Sequence, residues 1–281
     1  MRIILFLLRK TLIYILLVST GFNLYAEGKD SLKHNLYDIY HWIDIPVTAG
    51  LTATAYWGWV IADSKPPLDS LTITGLDANT INRFDRPATR QEADFAPTAR
   101  TISDITLIAC NALPFLLLAD KKIRQDWGSV LLLFLETQVI VANLYSWGSV
   151  VHQDRIRPLV YNPEVPWDER AGIRTQNSFY SGHTSMSASA SFFAAKVYCD
   201  YHPELGNKKY IVYSLALLPP AATGFFRYKG MKHFPTDVLM GLAVGSATGI
   251  LVPHIHKRTG PNLSIAPFTG RANGLVLTYK F

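Results

Sequence analysis

Residues 225–237 read FFRYKGMKHFPTD, between the apolar runs Tyr210–Phe226 and Val238–Pro253. Two further polar clusters flank apolar segments: RIRP at Arg155–Pro158 follows the run Trp127–Val151, and FYSGHTS at Phe179–Ser185 opens a Ser/Ala-rich stretch. These residue types suit one task. A planar guanidinium binds phosphate through two parallel hydrogen bonds, so Arg157 and Arg227 converging on one pocket make a site for a tetrahedral oxyanion. Ser181 and the backbone N–H groups of Gly182 and His183, at a helix N-terminus, add donors and a favourable dipole, and glycine lets the backbone approach closely. His233 and Asp237 are four residues apart, a spacing that sets a carboxylate beside an imidazole on a helical turn. A carboxylate so placed fixes the tautomer and leaves the other nitrogen free to attack, with His183 as general acid for the leaving oxygen.

The elements that must position these groups are apolar. The chain is 49% hydrophobic and 17% charged, on the membrane side of an ordinary soluble composition. Six segments read as membrane or deep-core helices: Pro46–Ala62, Ile105–Leu118, Trp127–Val151, His183–Tyr198, Tyr210–Phe226 and Val238–Pro253. Several are short for a span of about 20 residues, so a compact bundle with shielded inner helices and six full spans are both open. The expected fold is an all-α, membrane-associated helical bundle. The tail ends GRANGLVLTYKF, whose Asn-Gly pair and alternating strand predict a short C-terminal β-hairpin.

Residues 1–26 carry early positive charge, then an uncharged run from Thr11 to Ala26, and read as a signal peptide or a retained signal anchor. Residues 27–100 form an N-terminal extension with one apolar segment and an irregular loop, 101–258 the helical core, and 259–281 a tail. Three basic clusters (Lys121, Lys122 and Arg124; Lys208 and Lys209; Lys257 and Arg258 beside His256) define the cytoplasmic side, which turns the loops Val151–Tyr180 and Arg227–Asp237 to the periplasm. That parity accommodates an exported N-terminus if Pro46–Ala62 does not fully cross, and its two Trp, Tyr and three Thr suit an interfacial or re-entrant segment. The net charge of +6 is spread over short loops rather than one face, which argues against nucleic acid and for anionic lipid headgroups or a phosphorylated substrate. Cys110 and Cys199 have neither the number nor the spacing of a disulfide framework or a zinc site. Glu136, inside an apolar helix, is expected to pair with a cation or line the pocket, and His254 and His256 read as interfacial tail residues.

The order and spacing of the three clusters resemble the type 2 phosphatidic acid phosphatase superfamily, which shares its helical core with vanadium haloperoxidases. The family pattern is Lys followed seven residues later by Arg-Pro, then Pro-Ser-Gly-His, then Ser-Arg, five residues, His, three residues and Asp. Arg157-Pro158, Ser181-Gly182-His183, and Arg227 with His233 and Asp237 match it over about Trp127 to Pro253. Val150 stands where the pattern has Lys, Tyr180 replaces the motif Pro, and Phe226 replaces the motif Ser.

The resemblance implies that Arg157, Ser181, Gly182 and Arg227 hold phosphate, that His233 is the nucleophile, that Asp237 orients it and that His183 protonates the leaving group. It implies a metal-independent, acid-type phosphatase needing no cofactor, in a bacterial cell envelope membrane. The substrate would be a phosphomonoester or pyrophosphate on a lipid (phosphatidic acid, phosphatidylglycerophosphate, polyprenyl pyrophosphate or lipid A class), hydrolysed through a phosphohistidine. Two alternatives stand beside this: a vanadium-dependent haloperoxidase in which His233 ligates vanadate, and a catalytically impaired homologue that binds lipid phosphate. Arg155, Lys229 and Lys232 are candidates for the charge missing at Val150.

Overall fold

A computed structural model describes residues 36–258 and the backbone of two strands beyond them; the expected signal segment, residues 1–26, lies outside the described residues. The six apolar segments fall on six helices, α1 His41–Asp63, α2 Ala96–Leu116, α3 Trp127–Tyr145, α4 Gly182–Tyr201, α5 Lys209–Lys229 and α6 Pro235–His256, with Ile105–Leu118 running past the end of α2 and Trp127–Val151 past the end of α3. The tail forms the expected hairpin, β1 Leu263–Phe268 antiparallel to β2 Gly274–Tyr279, with Leu263 opposite Tyr279.

Among the described residues, three stretches are long and apolar enough to cross a membrane: Ala96–Ala119, Trp127–Val150 and Pro235–His256. At 1.5 Å per residue, the 24-residue stretches extend about 36 Å, more than a hydrocarbon core of about 30 Å. Their outer faces agree: Ile108 is 70% exposed on α2 and Ile255 76% on α6, and α5 adds Tyr210, Ile211 and Leu218. Such a surface is costly in water and at home in lipid.

The Ser/Ala-rich α4 is the central helix, packed by α2, α3, α5 and α6. Small side chains allow this, and their hydroxyls are satisfied close by: Ser185 donates to the Gly182 carbonyl at 3.0 Å and Ser191 to that of Ala216 at 2.7 Å. Opposite, α6 presents Gly241, Gly245 and Gly249. A Cβ on Gly245 would lie 2.2 Å from the Ser185 carbonyl oxygen, so only glycine permits this approach.

The segment Pro46–Ala62 lies in one continuous helix rather than a re-entrant one, and it is not among the described stretches apolar enough to cross a membrane. The ends of α1 reach opposite ends of the bundle. At its start the Asp38 N–H donates to the His256 carbonyl at 2.8 Å, and Tyr37 and Lys257 both donate to Asp200. At its finish Asn177 Nδ2 donates to the Ala62 carbonyl at 3.2 Å, beside the site described below. Small residues (Thr48, Ala55, Gly58, Ala62) form its buried stripe, and Asn143 of α3 donates to the Leu51 carbonyl at 2.8 Å. Its Trp and Tyr residues face outward, with Trp42 78% exposed. The three basic clusters gather at the end where α1 begins: Lys122 pairs with Glu204, His202 with Asp120, and Lys257 with Asp200.

Candidate active site

The three polar clusters meet at the other end of the bundle. α5 stops at Lys229, and Met231 takes φ 52°, a left-handed conformation rare for a side chain of this size. Burial of Met231 against Leu159, Val160 and Val165 holds it there, and its carbonyl accepts from the Leu159 N–H at 3.1 Å. The chain then folds back, the Lys232 N–H donating to the Arg227 carbonyl at 3.1 Å, before Pro235 starts α6. This turn brings Arg227 and His233 onto one cavity.

His233 is 1% exposed. Its Nδ1 lies 2.6 Å from the Ser178 carbonyl oxygen, which can only accept, so Nδ1 carries the proton and Nε2 keeps its lone pair. Burial first, then the charges of Arg157 and Arg227, hold its pKa well below the usual imidazole value. Asp237 stands one layer behind, its Oδ2 3.9 Å from Nδ1. That oxygen accepts from the Ser178 hydroxyl at 2.7 Å and the Phe234 N–H at 2.9 Å, while Oδ1 pairs with Arg155. Arg155 also pairs with the buried Asp85 at 2.8 Å and lies 4.3 Å from the centre of the Phe234 ring. The carboxylate thus holds the loop that carries the Ser178 carbonyl.

Arg157 and Arg227 are 8% and 6% exposed, and the Nε of each lacks a hydrogen-bond partner among the described residues. Arg157 donates to the Asn177 carbonyl at 3.1 Å, and Arg227 lies 3.8 Å from Asp104. Two guanidiniums buried with donors to spare are costly unless an anion completes them.

Ser181 caps α4, its hydroxyl 2.8 Å from that of Thr184 and accepting the Thr184 N–H at 3.4 Å; such a cap stabilises a helix by about 1 kcal/mol. It does not line the cavity, whereas Gly182 and His183 do. A Cβ on Gly182 would meet the Tyr145 ring at 2.9 Å. His183, a third exposed, is 2.9 Å from Asp104 of α2 through Nε2. Burial and the charge of Arg227 pull His183 down to about 4 against the opposing pull of Asp104. A phosphate dianion beside Arg227 would offset that charge and let Asp104 hold the imidazolium that an acid requires.

The cavity measures about 480 Å³ and is lined by Arg157, Gly182, His183, Arg227, Lys232 and His233, with Trp59, Leu107 and Met186 among its apolar lining residues. Expected residues brought together are therefore Arg157, Gly182, His183, Arg227 and His233; Ser181 and Asp237 support them from behind. Asp104, Ser178 and Asp85 were not singled out from sequence. Asp104 had one signal, an acid at the mouth of the apolar run from Ile105. Glu136 does not line the cavity: its Oε2 faces His256 Nε2 at 3.6 Å, so His256 is a bundle residue rather than a free tail. These two and Asp44 bring possible metal-ligating atoms within 4.8 Å of one another, away from the cavity.

The family model described as PAP2 superfamily matches residues 126–261. This core belongs to the PAP2 superfamily. No curated protein matches the chain. One similar solved structure is described as the first transmembrane PAP2 type phosphatidylglycerolphosphate phosphatase from Bacillus subtilis; it is 20% identical, covers 73% of this chain and 94% of its own, and superposes with a TM-score of 0.41. The PAP2 pattern and the cavity coincide at the family's arginine and histidine positions. They also coincide at the departure, because Val150 lines the cavity and is 1% exposed.

Proposed function

We propose that this PAP2 protein is a membrane lipid phosphatase working through a phosphohistidine. The observation that carries the reading is the Nδ1 bond of His233 to the Ser178 carbonyl, which leaves Nε2 unprotonated beside two buried guanidiniums with unused donors. Nε2 attacks phosphorus and the bond to the leaving oxygen breaks, that oxygen taking a proton from His183. Water then attacks phosphorus, giving a proton to His183; the P–N bond breaks, inorganic phosphate departs and His233 is restored. Charge on the phosphoryl oxygens is met by Arg157 and Arg227 and by the N–H groups at the start of α4.

A lipid substrate is supported by the apolar residues that line the cavity and by the three helices, among the described residues, suited to a membrane. Phosphatidic acid, phosphatidylglycerophosphate, polyprenyl pyrophosphate and lipid A phosphates share the required chemistry, a terminal phosphoryl group on an apolar anchor. The basic clusters at the far end support a site facing the periplasm.

The test is inorganic phosphate release by the detergent-purified protein and by His233→Ala, with EDTA present, against these lipids. Release that survives chelation and disappears in the variant is expected. Folded wild-type protein that releases nothing from any of them would favour the lipid-phosphate-binding reading.

A further inference from the structure

The cavity wall at Val150 is uncharged where the PAP2 pattern carries lysine, and the nearby cations differ in what they have left to give. Lys65 reaches this wall only from behind, donating to the Val150 and Gln153 carbonyls and pairing with Asp154 at 2.7 Å. Arg155 is engaged by Asp237 and Asp85. Lys229 lies over the Phe225 ring at 6.0 Å and does not line the cavity. Arg174 lines it but is paired with Asp63 and 57% exposed.

Lys232 is unlike all of these. It lines the cavity beside Arg157, Arg227 and His233, and its ammonium has no hydrogen bond or ion pair among the described residues. The charges that act on it most are Arg157, Arg100 and Arg227, with Glu169 opposing them. Glu169 is itself paired with Arg100 at 2.5 Å. Of the carboxylates that line the cavity, Asp63 is paired with Arg174 and Glu169 with Arg100, which leaves Asp104 to face the three cations Arg157, Arg227 and Lys232. Holding like charges together in a partly desolvated space is unfavourable until an anion joins them, and the imbalance matches a phosphate dianion.

We propose that Lys232 is the third cation of the phosphate site, its ammonium donating to the phosphoryl oxygens in place of the charge that Val150 lacks. The proposal rests on the phosphatase reading above. It makes valine at position 150 a relocation of charge rather than a loss of function. The turn at Met231 is what makes the relocation possible, because it sets Lys232 on the cavity side directly before the nucleophile.

The test compares wild type with Lys232→Met, Lys232→Arg and the double variant Lys232→Met with Val150→Lys, each checked for folding by its melting temperature. A charge-assisted hydrogen bond to phosphate makes Lys232→Met about 10- to 100-fold lower in kcat/KM, while Lys232→Arg stays within about threefold. The double variant is expected to regain at least tenfold over Lys232→Met, a recovery that a merely structural lysine would not give. Lys232→Met equal to wild type would overturn the proposal, as would a folded double variant with no recovery. Should Lys232→Met not fold, acylation of Lys232 in the wild type, read by peptide mass, replaces it: protection by orthovanadate supports the contact and equal labelling overturns it. Failure of the phosphatase reading is distinguishable, since wild type and His233→Ala would then both be inactive on every lipid.

Discussion

His233 is tied through Nδ1 to the carbonyl of Ser178 at 2.6 Å, while the Asp237 carboxylate four residues on stands 3.9 Å from the same nitrogen. The tautomer is therefore set by a backbone acceptor. Asp237 acts at one remove, holding Ser178 by its hydroxyl and neutralising Arg155.

Asp237→Asn separates these roles. It keeps the Ser178 carbonyl in reach of His233 but removes the charge facing Arg155. Phosphate release is expected to fall about 10- to 100-fold, the range for a group acting through another, whereas His233→Ala abolishes it. Arg155 is 28% exposed and keeps Asp85, so the loss of stability is about 1–3 kcal/mol rather than that of a fully buried pair. A variant that melts like wild type yet is as inactive as His233→Ala would mean that Asp237 acts on the imidazole directly.

The pair His183 and Asp104 is tested by the leaving group. An alkoxide needs a proton as it departs, whereas p-nitrophenolate does not. His183→Asn should slow a lipid phosphomonoester by about 10²- to 10⁴-fold and p-nitrophenyl phosphate much less. Asp104→Asn is expected to show the same pattern at smaller size. Equal losses on both substrates would deny His183 its role as acid.

What the sequence made legible was local. Arg227, His233 and Asp237 are joined by one turn, so their spacing carries their meaning, and the helix start at Ser181 is a property of three residues. The contacts that complete the site are distant. Asp104 pairs with His183 across 79 positions and Asp85 reaches Thr236 across 151. The Ser178 carbonyl has no signature at all, because every residue carries one. The docking of α1 was not legible for a physical reason: its Trp, Tyr and Thr content describes an outer face, whereas Thr48, Ala55, Gly58 and Ala62 gather on one face and dock it along the bundle. Composition reported the outer face and missed the stripe.

The contact between α4 and α6 gives a stability prediction independent of chemistry. A side chain at Gly245 meets the Ser185 carbonyl oxygen at 2.2 Å, and that backbone belongs to the central helix, which cannot yield. Gly245→Val should cost at least the about 1–3 kcal/mol of ordinary overpacking, seen as a lower melting temperature in detergent. Gly128→Ala in α3 is the control. Its Cβ would meet nothing within 4 Å, so no loss is expected and helix propensity favours a small gain. Equal melting of the two variants would show that the two helices do not approach as closely as described.

His233 and Lys232 shape the pH profile of kcat/KM together with the general acid His183, which must carry a proton when the leaving oxygen departs. His233 must be neutral to attack; with its pKa held well below the usual 6.5 by burial and by Arg157 and Arg227, the enzyme keeps its nucleophile as pH falls past that value. The same depression means that the unfolded chain binds the proton more readily, so the stability owed to the neutral buried imidazole is complete above pH 6.5 and lost below it. Lys232 must be charged; burial first, then Arg157, Arg100 and Arg227, bring it down to about 7 against Glu169. Binding of phosphate should weaken as pH rises through about 7, giving an optimum on the mildly acidic side. Substrate phosphate itself ionises near pH 6, so the informative comparison is with Lys232→Arg on the same lipid. Arginine stays charged and should lift the alkaline limb while leaving the acid limb where it was. An alkaline limb unmoved by that substitution would assign it to a group other than Lys232.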